Sequence, residues 1–129
     1  MKKLNIAILS YRSAPFGGGQ GIYIHDISKA LSLMGHRVDV ISGPPYPNLY
    51  EKVNLIKLPG LDLFQTFSFK DRLNIFIKKK HKRAIDFFEF FSTFFGGFPE
   101  MRTFGERAKE FLDTNYHYDI VIDNQSISY

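Results

Sequence analysis

The 129-residue sequence has no cysteine and no tryptophan. Without cysteine there is no disulfide, no thiolate metal site and no cysteine nucleophile, and a reducing compartment is allowed. Long hydrophobic runs are missing too. No stretch approaches the roughly 18–20 uninterrupted apolar residues of a membrane-spanning helix, because charged or polar residues break even the Phe-rich segment. The start Met1-Lys2-Lys3 imitates a signal peptide, but the run behind it, Leu4 to Leu9 with Asn5 inside, falls short of the roughly 7–15 apolar residues of an h-region. A cytoplasmic chain that does not span a membrane is expected.

What the sequence does have is phenylalanine and an uneven charge. Its 14 Phe and 7 Tyr supply all the aromatic residues, and Phe is concentrated between Phe87 and Phe98. Hydrophobic residues make up 44%, and the length suits one ordinary core, so a single domain over residues 1–129 is expected. Net charge is +4, yet the window Lys70–Arg83 alone carries seven basic residues against Asp71, a net +6, which leaves the remainder at −2. One basic segment on an otherwise slightly acidic chain argues for a local anionic partner and against a nucleic-acid-binding surface.

Along the chain, Leu4–Leu9 reads as a strand of the kind buried on both faces of a parallel sheet. From Gln20 to Met34 the apolar residues Tyr23, Ile24, Ile27, Ala30, Leu31 and Met34 recur at spacings of three and four, one face of a helix. Gly35 stands where a left-handed helix cap is wanted. Val38–Ser42 is a second strand, Gly43–Pro47 a rigid turn, and Val53–Leu58 a third strand stopped by Pro59 and Gly60. Helices follow at roughly Asp71–Lys80, Ala84–Phe95 and Thr103–Asn115, and Asp119–Asp123 reads as a fourth strand. Strand, helix, strand, strand at the start predicts an α/β fold, a Rossmann-like open parallel sheet with helices on both faces. A doubly wound domain continues past a fourth strand, so the sequence reads as the front portion of a larger domain, with that strand exposed or newly covered.

Between the first strand and the first helix lies Gly17-Gly18-Gly19-Gln20-Gly21. Glycines there let backbone N–H groups approach an anion or a sugar hydroxyl at the positive end of a helix, or else they form no more than a flexible surface loop. No Gly-x-x-x-x-Gly-Lys string exists, which excludes a Walker loop. The glycines sit some seven residues beyond Ser10 with the spacing Gly17-x-Gly19-x-Gly21, and the second strand ends in Ser42-Gly43 with no acidic residue. Dinucleotide binding is therefore disfavoured. Among the histidines, His25 reads as a solvated helix residue and His36 as a helix terminator. Neither His81 nor His117 has a partner at i+4 for a metal pair, so no metal site is expected. No Gly-x-Ser-x-Gly elbow occurs. Asp119, Asp123, Glu100 and Glu106 are the carboxylates from which a hydrolytic pair would be drawn, and surface charge is the plainer reading of them.

Five segments together resemble the acceptor-side, N-terminal domain of GT-B glycosyltransferases of the family 4 type. They are Gly17–Gly21, Tyr23–Leu31, Gly35–Ile41, Gly43-Pro44-Pro45-Tyr46-Pro47 and Tyr118–Ser126, in family order across nearly the whole chain. The resemblance implies retaining transfer from a nucleotide-diphosphate sugar to an acceptor, lipid-linked or a cell-surface glycan, with no metal and no other cofactor. Gly18, Gly19 and Gln20 would face the donor, and Asp123, Asn124 and Gln125 would line the acceptor side. Strand carboxyl ends are also where open α/β sheets bind ligands in general. In the family a second Rossmann-like half with a Glu-x7-Glu pattern holds the donor, and these 129 residues contain no counterpart. A partial domain, inactive alone, with the donor-binding half in the same gene or a separate chain, is the expectation; a non-catalytic α/β interaction module is the alternative.

The basic and aromatic segment allows two readings. In one, Phe87, Phe90, Phe91, Phe94 and Phe98 pack onto the sheet, Asp86, Glu89 and Thr93 take the opposite side, and the cations are solvated. In the other, Arg72, Lys78, Lys79, Lys80, Lys82 and Arg83 attract anionic headgroups while exposed Phe inserts at the interface, a peripheral contact with the inner membrane face.

Overall fold

The computed structural model describes residues 1–15, 19–60, 69–79, 83–92, 100–115 and 117–124. Strand β1 (Asn5–Ser10) pairs in parallel with β2 (Arg37–Ser42) on one side and with β4 (Ile120–Asp123) on the other. β2 pairs in parallel with β3 (Asn54–Lys57), which gives the order β3-β2-β1-β4. These are the first four positions of the doubly wound order 3-2-1-4-5-6, so the α/β Rossmann-like reading holds. The two central strands are nearly all buried, as parallel strands covered on both faces should be. β4 is a mostly exposed edge, with Ile120 and Val121 both close to half exposed.

Side-chain alternation divides the sheet into two faces. Ile6, Ile8, Val38 and Val40 point to one and form the main core with Ile24, Ile27 and Leu31 of α1 (Gly19–Leu33). Each fully buried Ile or Val there contributes roughly 1.5–3 kcal/mol of transfer free energy. The buried stripe of α1 is Gly21, Ile24 and Ser28, whereas Tyr23, Ala30 and Met34, assigned by periodicity to the inward face, are exposed. Small residues at 21 and 28 let the helix lie close, which rotates the larger apolar side chains to its flanks. Gly35 ends the helix at φ +92°. Its N–H donates to Ser32 and that of His36 to Leu31, the paired bonds of a Schellman cap. His36 Nδ1 then accepts the Leu4 N–H, tying the cap to the start of β1.

The remaining helices are α2 (Phe69–Lys78), α3 (Ala84–Ser92) and α4 (Glu100–Thr114). Phe104 of α4 reaches the carboxyl ends of the central strands beside Tyr11 and Gly43. Helix α3 is oriented opposite to the packing expected of its phenylalanines. Asp86 and Glu89 are fully buried, Phe90 alone of the described Phe residues of the helix is buried, and Phe87, Phe88 and Phe91 are exposed. The carboxylates can face inward because cations meet them there, as the next section describes. No helix among the described residues is long and apolar enough to cross a membrane.

Candidate functional site at the strand carboxyl ends

The order β2-β1-β4 places the switch point of the sheet between β1 and β4, since the chain leaves β1 toward β2 and returns on the other side. A crevice at the carboxyl ends of these two strands is where such sheets take ligands. There the Asn124 N–H donates to Leu9 O at 3.1 Å and extends the ladder past Asp123. Asn124 Nδ2 then donates to Gln20 Oε1 at 3.0 Å, across 104 residues of sequence. The loop and strand-end residues marked in the sequence thus meet at Gln20 and Asn124. Gly19 and Gln20 begin α1 and are exposed, and the first N–H groups of that helix have no intrahelical acceptor. An amide pair beside the positive end of a helix suits an anionic or hydroxyl-rich guest.

Gly21 has a different task. A Cβ there would collide with the Ala14 carbonyl, so the loop entering the helix can pass over it only because the side chain is a hydrogen. Gly17, Gly18 and Gln125 lie outside the described residues. Asp123 is exposed at the end of β4.

Beside this crevice the ends of β1 and β2 are locked together. Ser10 and Ser42 are register partners, and the buried Ser10 hydroxyl shares a hydrogen bond with that of Ser13. Ser13 N–H reaches Pro45 O, and Ser42 Oγ donates to Gly43 O at 2.8 Å. A Cβ on Gly43 would lie 2.7 Å from Tyr11 O, which accounts for glycine at this close approach. The turn that follows contains a cis Pro44–Pro45 bond.

A small cleft opens on the same end of the sheet, walled by Tyr11, Pro44, Leu58 and Phe104 and floored by Glu89 and Arg107. Its floor is a buried charge cluster. Arg107 Nη2 donates to Asp86 Oδ1 at 2.9 Å and to Glu89 Oε2 at 2.7 Å, and Lys79 Nζ donates to Asp86 Oδ1. Asp86 Oδ2 accepts the Arg83 N–H at 2.8 Å, the reach-back half of a capping box at the start of α3. Burial pushes the Asp86 carboxyl up, but the Lys79 hydrogen bond, the Arg83 N–H and the charges of Lys79 and Arg107 outweigh it and hold it below the ordinary carboxylate value. The cluster was not assigned from the sequence. The signal that could have found it was Asp86 and Glu89 three apart on a helix otherwise crowded with Phe, a pattern that needs cations from elsewhere to be buried.

Of the cations marked for a membrane contact, Lys79 is thus engaged by Asp86, and Arg83 is paired with Glu110 at 2.7 Å. Lys78 is exposed, Arg72 belongs to α2, and Lys80 and Lys82 lie outside the described residues. On the far end of the sheet, buried Asp39 accepts the Tyr118 hydroxyl at 2.8 Å, with His117 Nε2 at 3.9 Å. Burial and the Asp39 carboxylate raise the Tyr118 pKa. Asp119 accepts the Asn5 N–H and so braces the sheet. Among the described residues no group of three His, Asp or Glu is arranged to hold a metal ion.

No protein-family model matches the chain. It is 41% identical over 126 residues, 96% of its own length, to the MMP alpha-(1->4)-mannosyltransferase of Mycolicibacterium hassiacum, and it spans about 30% of that protein. Over nearly all of its own length, therefore, the chain is similar to part of a glycosyltransferase.

Proposed function

We propose that this chain forms the acceptor-side wall of a GT-B glycosyltransferase of the family 4 type. It works in sugar transfer from a nucleotide-diphosphate donor, and mannosyl is the first group to test, given the relative's name. The observation that carries the reading is the Gln20–Asn124 hydrogen bond, which joins the helix-start loop to the end of β4 at the sheet's switch point. In this reading Gly19 and Gln20 face the donor diphosphate, aided by the α1 N-terminus, while Asp123 and Asn124 line the acceptor side. A second Rossmann-like half, in the same polypeptide or another, supplies most of the donor contacts.

Joining residues 1–129 to the remainder of the M. hassiacum enzyme tests this directly. The hybrid should turn over a nucleotide-diphosphate sugar. Gln20→Ala and Asn124→Ala should each lower kcat/KM by about tenfold, the value of roughly one hydrogen bond, with unchanged thermal stability. A folded hybrid without turnover would favour the non-catalytic module, whose partner would add to the exposed edge of β4.

A further inference from the structure

We propose that the outward face of α3, together with the exposed lysines of α2, is a docking surface for an anionic lipid bilayer. The inward-facing carboxylates are the first ground for it. Asp86 and Glu89 are fixed in the interior by Lys79 and Arg107, so α3 cannot rotate its phenylalanines inward without breaking a buried charge cluster. Phe87, Phe88 and Phe91 are left 44%, 50% and 56% exposed. At positions i, i+1 and i+4 they share one side of the helix.

Charge chemistry next to that side is the second ground, and it selects the occupant. Helix α2 packs on α3 through Leu73 and Ile75 against Phe90. Its own exposed residues, Lys70, Asn74, Ile77 and Lys78, fall at i, i+4, i+7 and i+8, a single stripe with Ile77 60% exposed between cations. The window from Lys70 to Arg83 carries a net +6. Lys is depleted at protein–protein interfaces. Lys beside exposed aromatic residues is what interfacial segments present to acidic headgroups, with the rings entering the acyl boundary and the ammonium groups staying in the headgroup layer. An anionic membrane fits both ground observations, whereas a second protein surface would have to neutralise or exclude the lysines.

Co-sedimentation of the 129-residue chain with phosphatidylcholine vesicles, with and without 30% phosphatidylglycerol, at low and high salt, tests the proposal. Binding should require the anionic lipid and weaken as salt screens the lysines. Lys70→Gln with Lys78→Gln should weaken it about thirty-fold, the factor typical of two surface cations. The triple variant Phe87→Ser, Phe88→Ser, Phe91→Ser keeps every charge and should lose at least tenfold, with circular dichroism reporting an intact fold. Equal behaviour toward neutral and anionic vesicles would overturn the proposal, as would wild-type binding by the Phe variant. Concentration-dependent dimerisation abolished by the Phe substitutions, without lipid binding, would overturn it too and assign the face to a second copy.

Discussion

Replacing Arg107 with methionine should be among the most damaging single changes available to this chain. Arg107 is itself buried and supplies the one printed cationic contact to Glu89, so Arg107→Met leaves that carboxylate in the interior at 1% exposure with its ion-pair partner gone. Asp86 keeps Lys79 and the Arg83 N–H, so the main penalty falls on Glu89. Removing one partner of a buried pair costs about 3–5 kcal/mol. Domains of this kind are stable by roughly 5–15 kcal/mol, and a urea slope of about 2 kcal/mol per molar turns that loss into a midpoint shift of about 2 M. The double variant Arg107→Met, Glu89→Met removes the stranded charge and should recover about half or more of the loss or better, because apolar replacements of a buried ion pair are often near neutral. Urea unfolding of the wild type, both single variants and the double variant, followed by far-ultraviolet circular dichroism, supplies the full cycle. A cost below about 1 kcal/mol for Arg107→Met would show that these charges are solvated and that α3 faces the other way. Phe91→Ser serves as the reciprocal control and should change stability by less than about 1 kcal/mol, since that ring is already half in water.

Two further outcomes follow from the same geometry. The folded-state Asp86 pKa lies below its unfolded value of 3.8, so its contribution is fully present above about pH 4 and is lost as pH falls further; in urea titrations between pH 6 and pH 2.5, Asp86→Asn should flatten the acid loss of stability relative to the wild type. Gly21→Ala should destabilise the fold by about 1–3 kcal/mol despite alanine's better helix propensity, because the added methyl meets the Ala14 carbonyl, and the thermal midpoint reports it.

Local signals made much of this fold legible. The run Asn5–Ser10 is too apolar and too short to be anything but a covered strand, and Gly35 sits at the left-handed cap that its φ of +92° requires. Element ends shifted by one or two residues, as helix and strand termini do. The meeting of Gln20 with Asn124 followed from topology once four parallel strands were recognised, because the switch point brings those two chain ends together. Helix rotation was not legible. Periodicity ranks side chains by hydrophobicity alone, so it turned Phe87 and Phe91 inward and Asp86 and Glu89 outward. The real preference came from Arg107, eighteen residues beyond Glu89, and from Lys79, neither of which carries any mark in its local sequence. In α1 likewise, Gly21 and Ser28 face the sheet because small volume, not hydrophobicity, decides how near a helix can lie.

The pairing of β1 with both β2 and β4 has a consequence for how the crevice comes into being. β1 meets β2 across 32 residues, as from Asn5 to Arg37, but meets β4 across 114, as from Ile6 to Ile120. Closing the longer loop costs about 1 kcal/mol more in chain entropy. The Gln20–Asn124 contact depends on that closure, and no segment shorter than 105 residues contains both amides. The crevice is therefore a property of the assembled sheet and not of the glycine loop, and its integrity reports on the whole chain at once.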